Sequence, residues 1–465
     1  MVGARPDQAR VPVMHEEQLY RAALSGDIET VGKLLASGAD PDRPSEAAHD
    51  GGEGGLPLCA AAAWDRTEVA EALIAAGADV NARESGGWTA LLWAAANGHA
   101  AVAGVLIEAG AEIDATNESG DTALTLAARR GALGVVQVLL DAGVDAGKYD
   151  GDGDTPLQIA VDWVGVHLES ALLDQIEQEG WEYVVTRQYA KDGTELVTVS
   201  GRAPDGSRSE EVQAQRGHAA VATLLEEATD VFVPVDQLVA RALAHRDIDE
   251  DAETWWIVAD TLAKRADETT YEALARLCMS EDAREREFGV DAIAQFGFSD
   301  GEKPYLERTL PLLQKMVTTE ANPQVLRSVL AALGHQGDPR ALPSVLGIMG
   351  RPGHQRTITD PIALADVLPP DHEEGLALLV AMSEDDDAEI RDWATAGLAG
   401  LAADTPAIRE ALAARLDDSD LRTVAEATRG LAIRGDERAA RGAARVLEES
   451  DDEYARDLVT QAAHE

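Results

Sequence analysis

Asp150-Gly-Asp-Gly-Asp154 sets three carboxylates at alternate positions, a spacing that can gather oxygen ligands around calcium. A calcium loop of the EF-hand kind needs glycine at the next position and glutamate at the twelfth. This chain has Thr155 and Val161 there, so the segment reads as a turn. Gly51-Gly-Glu-Gly-Gly55 lacks both a preceding strand and a following Lys-Ser/Thr, which excludes a phosphate cradle. His372-Glu-Glu opens like a metalloprotease helix, but Leu376 stands where the second histidine belongs. Cys59 and Cys278 lie in different halves, which argues against a disulfide framework or a zinc site, and Cys59 falls on a helix face as a core residue. The ten histidines are scattered, and sequence order supports no Ser/His/Asp arrangement. No catalytic residue, metal or cofactor is expected, and the chain reads as non-enzymatic.

The elements available for positioning binding residues are helical. Hydrophobic residues make up 45% of the 465, yet aromatics only 4%, so alanine and leucine supply most of the apolar mass. Small side chains of that kind suit closely spaced helices. The formal charge is −46, with both halves acidic. Such a field repels nucleic-acid backbones and anionic membranes and speeds encounter with a basic partner, although solubility is the plainer reading. No apolar run of membrane-spanning length occurs, and Met1–Gln18 has no apolar signal-peptide core, so a cytoplasmic location is expected. Residues 1–14 are expected to be a flexible tail.

Internal repetition decides the architecture of the first half. Gly77-Ala-Asp-Val-Asn, Gly110-Ala-Glu-Ile-Asp and Gly143-Val-Asp-Ala-Gly recur at a spacing of 33, as do Thr89-Ala-Leu, Thr122-Ala-Leu and Thr155-Pro-Leu. An earlier copy runs from Ala22 through Gly38-Ala-Asp-Pro-Asp42, with the Gly-rich stretch 49–55 absorbing a six-residue phase difference. These residues resemble the ankyrin repeat, over about 15–163 and again near 212. In the units that begin at Thr89, Thr122 and Thr155 the threonine caps the first helix, and in the first two of them paired alanines allow close helix approach and Gly98 or Gly131 ends the helix where a left-handed residue is needed. One unit cannot bury its apolar face alone, so stacking forms the core.

The fifth unit departs from this pattern. Val164 replaces the mid-repeat glycine, and Gly217-His-Ala-Ala-Val-Ala-Thr-Leu-Leu-Glu looks like the missing second helix, 53 residues late. An insertion near 164–212 follows. Its middle reads as a β-hairpin, with Tyr183–Tyr189 and Glu195–Val199 joined through Lys191-Asp-Gly193. Alternatively, His167–Glu179 completes the repeat and a degenerate sixth copy follows. The ankyrin-like region as a whole is placed at 15–230.

Beyond Val231 the glycine pattern stops. Residues 231–280 read as a helical junction, with Trp255-Trp256 as its buried anchor. The segment Val325–Leu342, with its Gly337-Asp-Pro turn, resembles a bacterial HEAT repeat, and related copies occur at Phe288–Gly297, Ile390–Leu401 and Val424–Asp436. Residues 281–465 are therefore expected to be a HEAT-like domain. The fold class expected is an all-α solenoid with a small β-hairpin insertion in the last ankyrin repeat.

Ankyrin proteins bind through their hairpin tips and the exposed side of their first helices. By register, the resemblance assigns protein binding to Trp64, Trp88, Asn97, Asp121, Arg129, Arg130, Asp154 and Trp163. Tryptophan and arginine are the residue types that dominate interface energy, although the tryptophans equally suit packing between repeats. The function implied is a protein-binding scaffold or adaptor without nucleic-acid or membrane partners. An alternative is an acidic inhibitor or immunity-type protein that neutralises a basic toxin or nuclease. No residue set supports a third reading, a bilin-lyase-like enzyme.

Overall fold

The computed structural model describes residues 10–45, 55–178, 180–190, 194–244, 253–298 and 303–462. They form helices and one small sheet, in two compact units, residues 1–261 and 262–465. That division falls inside the expected junction. The expectations for Gly51–Gly54 and for the Lys191–Gly193 turn lie outside the described residues, as does that for residues 1–9. Residues 10–14, expected in the tail, begin a helix.

In the first unit α1 (Arg10–Ser25) and α2 (Ile28–Ala36) pair, as do α3 (Pro57–Ala63) and α4 (Thr67–Ala75). Three more pairings follow the same plan, α5 (Ala90–Asn97) with α6 (Ala100–Glu108), α7 (Ala123–Arg130) with α8 (Leu133–Asp141), and α9 (Pro156–Trp163) with a later helix. The first helices pack in a row, α1 to α9, and the second helices form a parallel row from α2 to α8.

Three of the first helices, α5, α7 and α9, start on side-chain caps, and two of them end on glycine. The hydroxyls of Thr89, Thr122 and Thr155 accept hydrogen bonds from the third backbone N–H onward, at 3.1–3.3 Å. Gly98 and Gly131, at φ +77° and +71°, end α5 and α7 in the left-handed conformation. Between these caps Ala94, Ala95, Ala127 and Ala128 are fully buried, and the small side chains let neighbouring helices approach. Leu73, Leu106 and Leu139 recur at the repeat spacing and are also fully buried. Truncating any one of them to alanine is worth roughly 2–5 kcal/mol.

Between α9 and its partner lie α10 (Leu168–Ile176) and an antiparallel sheet of β1 (Glu182–Tyr189), β2 (Glu195–Arg202) and β3 (Ser209–Gln215), in that order. A two-stranded hairpin was expected. The third strand was missed because Ser209–Gln215, Ser-Glu-Glu-Val-Gln-Ala-Gln, carries little of the apolar alternation that marks a strand. Val197 and Val199 turn to one face and pack on Leu168, Leu172 and Ile176 of α10. The helix α11 (His218–Ala228) packs on α7, α8 and α9 and contributes Val221 and Leu225 to the repeat core. α10 packs on β2 and β3 instead.

Next come α12 (Val235–Ala244) and α13 (Glu253–Arg265). Arg241 of α12 grips Glu226 of α11 with two bonds of 2.7 and 2.9 Å, both side chains nearly buried. Trp255 is buried. Trp256, expected to share in the anchor, is 47% exposed, because consecutive helical residues cannot face the same way.

The second unit contains α14 (Glu268–Leu277), α15 (Ala283–Gln295), α16 (Leu306–Thr319), α17 (Pro323–Gln336), α18 (Leu342–Met349) and α19 (Thr359–Val367). It continues with α20 (Glu373–Met382), α21 (Ala388–Gly400), α22 (Pro406–Arg415), α23 (Leu421–Ile433), α24 (Ala439–Glu449) and α25 (Glu453–Ala462). Alternate helices from α15 to α25 pack in a row, each with the preceding helix beside it. Asp282, Asp387 and Asp420 accept backbone N–H bonds at the openings of α15, α21 and α23, so the acidic turns serve as caps.

Candidate functional site

The turns that precede the first helices are built from Glu84, Asn117 and Asp150, residues at the repeat spacing and all buried. The Glu84 carboxylate accepts from Leu56 N at 2.6 Å and from Trp93 Nε1 at 2.9 Å. Asn117 exchanges bonds with Asp121, donating from Nδ2 at 3.0 Å and accepting from its backbone N–H at 2.9 Å. Asp150 accepts from Asp152 N and Asp154 N, and its second oxygen accepts from Arg129 at 2.9 Å. Arg129 also reaches Asp121 at 3.1 Å, which ties two successive turns together. Asp150 is thus an organiser of its own loop, and Asp154 is exposed beside it. Among the described residues no cluster of His, Cys, Asp and Glu is arranged to hold a metal ion.

Trp64, Asn97, Arg130 and Trp163 occupy one repeat position, at the ends of α3, α5, α7 and α9. Trp64 is 52% exposed. Asn97 donates to Trp93 O at 2.9 Å. Trp163 is half-buried and stacks on His218, with ring centroids 4.9 Å apart. Trp88 is half-buried in the same manner, stacked on Trp93 at 4.2 Å. Trp88 and Trp163 therefore sit in packing contacts, whereas Trp64 presents its ring to solvent. His218 meets Arg129 O through Nε2 at 3.1 Å, and burial pushes its pKa down to about 4.

A cavity of about 700 Å³ brings Trp64, Asn97 and Arg130 together. Its opposite wall was not foreseen: Tyr189, Leu196, Gln213 and Gln215 line it from all three strands of the inserted sheet. The ladder explains this wall, because Leu196 pairs with Gln215 and Tyr189 with Glu195, which gathers these residues at one end of the sheet. Leu196 lies out of phase with Val197 and Val199, so it faces away from α10.

The sheet is seated on the ends of the repeat helices. Arg130 Nη1 donates to Gln213 O at 3.1 Å. A Cβ at Gly131 would lie 2.3 Å from Gln215 O, and one at Gly98 would lie 2.0 Å from Gln215 Oε1. These two glycines therefore end their helices and also leave room for β3. Sequence signals for the first role were plain, while the second needs a neighbour more than 80 residues away. Burial of the Arg130 guanidinium lowers its pKa to about 10, so it stays protonated at neutral pH.

The geometry agrees with comparison to known families. Residues 19–117 match the model for ankyrin repeats (3 copies), and residues 106–160 match that for ankyrin repeats (many copies). No curated protein matches the chain. Among the described residues no helix is long and apolar enough to cross a membrane. The N-terminal region, residues 19–160, consists of ankyrin repeats.

Proposed function

We propose that the chain is a non-enzymatic scaffold that binds a protein partner through the first-helix side of its ankyrin repeats. Ankyrin repeats are in general protein–protein interaction modules, and this array carries Trp64, half exposed, at the edge of a cavity shared with Asn97 and Arg130. That cavity is the observation on which the reading rests. Large aromatic and arginine side chains on a rigid wall lose little freedom on binding.

The second unit extends the scaffold as a HEAT-like array. The four segments that resemble one another fall on α15, α17, α21 and α23, members of a single row. A further regularity supports repetition. Asp282 and Arg286, Asp387 and Arg391, and Asp452 and Arg456 share one spacing at the starts of α15, α21 and α25. Each arginine donates from Nη1 to the carbonyl six residues earlier, at 2.9–3.0 Å.

Affinity capture from the native host, with the full chain as bait, tests the scaffold reading. The captured protein is then purified and titrated directly against the full chain. Binding that falls at least tenfold in Trp64→Ala supports the reading, and direct binding indifferent to Trp64 and Asn97 removes it. The net charge of −46 keeps the inhibitor reading in play. That reading requires a basic partner whose association slows steeply with salt.

A further inference from the structure

The cavity between the repeats and the inserted sheet carries an imbalance of hydrogen-bonding groups. Arg130 lines it, and among the described residues the guanidinium makes one hydrogen bond, to Gln213 O, and no ion pair. Five N–H donors thus share one acceptor, and Nε is buried with none. Arg130 is half-buried and, among the described residues, holds no carboxylate, whereas its neighbour Arg129 holds two. Arg434, which also lacks one among those residues, fills its donors with backbone carbonyls instead. Gln215 lines the same cavity at 1% exposure. Its Nε2 donates to Thr194 Oγ1 at 2.8 Å, while Oε1 accepts nothing. A cation with spare donors and an amide oxygen with a spare lone pair therefore stand in one pocket, beside the rings of Trp64 and Trp93.

We propose that this cavity binds the free C-terminal end of a partner polypeptide, with its carboxylate on Arg130, the N–H of its last residue on Gln215 Oε1, and an apolar last side chain against Trp64 and Trp93. The inference rests on the scaffold reading and names the part of the partner that is held. A chain end supplies one acceptor group and one donor at adjacent positions, which is the complement of this pair. A simple carboxylic acid supplies no donor. An acidic run would bring several charges to a strongly acidic protein and to a cavity that Asp65 also lines, while a single carboxylate brings one, to the guanidinium of Arg130. Arginine suits this task because its planar fork meets a carboxylate with two parallel bonds. A cavity of about 700 Å³ is of the size that encloses a few residues or a small ligand.

The test uses the immobilised full chain and a mixed-sequence octapeptide pool, made once with free C-terminal carboxylates and once amidated. Recovered peptides are read by mass spectrometry. The expected result is at least tenfold greater recovery of the free acids, enriched in large apolar last residues, and loss of that preference in Arg130→Gln. Because Arg130→Gln can loosen the sheet, Trp64→Ala provides a second variant at an exposed position, and it should lower recovery several-fold with unchanged circular dichroism. Equal recovery of acids and amides overturns the proposal. So does displacement of the peptides by 3-phenylpropionate at equal concentration, which would mark a site for small acids. A captured partner that still binds Arg130→Gln at full strength removes the chain-end proposal and leaves the scaffold reading standing.

Discussion

Gly131→Ala tests whether the inserted sheet is seated on the repeats as described. The substitution has two effects that can be separated. Gly131 has φ +71°, and placing a Cβ in a left-handed conformation costs about 1–2 kcal/mol. Its Cβ would also come within 2.3 Å of Gln215 O and 2.6 Å of the His218 ring, so β3 or the start of α11 must move, at roughly 1–3 kcal/mol more. Gly143→Ala is the internal control. Gly143 has φ +81° with nothing within 4 Å of its Cβ, so it carries the conformational cost alone. Hydrogen exchange of α7, α8 and β3 amides reads the opening free energy of these elements without requiring the whole chain to unfold at once. The difference between the two variants should be about 1–3 kcal/mol, or roughly 5- to 150-fold faster exchange in Gly131→Ala, with β3 most affected. Equal acceleration in both variants, or a β3 strand indifferent to Gly131→Ala, would refute the seating of the sheet on α7.

The tryptophans should divide by environment. Trp163→Ala removes the stack on His218 and is expected to lower stability by about 1–3 kcal/mol in thermal denaturation, whereas Trp64→Ala should stay within about 0.5 kcal/mol, and the reverse order would contradict the assigned exposures. His218 makes the first unit sensitive to acid. Its folded pKa of about 4 lies below the ordinary 6.5, so the unfolded imidazole binds a proton that the folded one refuses between those values. Stability contributed by the neutral ring is therefore complete above about pH 6.5 and is lost as pH falls, by about 3 kcal/mol near pH 4. His218→Gln should flatten this part of the stability-versus-pH curve, and parallel curves for the two proteins would count against it. Arg241→Met leaves Glu226 buried beside an apolar side chain. A loss of about 3–5 kcal/mol is expected, with part recovered by adding Glu226→Gln, and a loss below about 1 kcal/mol in the single variant would show the pair to be solvated.

Much of the repeat array was legible because its determinants are local. Threonine caps, left-handed glycines and paired alanines each act within one or two turns, and a spacing of 33 repeats them in register. The second helix of the fifth unit was harder. Leu168 and Leu172 continue the apolar spacing of Val135 and Leu139, so α10 and α11 both present a suitable stripe. It is α11 that packs on α7, α8 and α9, whereas α10 lays its apolar face on Val197 and Val199 of the sheet. The third strand escaped notice for the opposite reason, as a polar edge strand gains its place from ladder bonds to β2 and from its seat on α7.

The candidate residues divide along the same line. Register alone placed Trp64, Asn97 and Arg130 at equivalent helix ends, which is enough to put them on one side of the array. Their chemistry was decided by residues far along the chain. Arg129 finds carboxylates within its own turns, while Arg130, its neighbour, meets the Gln213 carbonyl and the buried wall of a cavity. Consecutive helical residues diverge by about 100°, so two arginines that look alike in sequence face different surroundings. Periodicity determines which residues share a face. What covers that face is decided when an insertion of about fifty residues folds back on it, because the burial and pairing of each side chain depend on neighbours that no local pattern encodes.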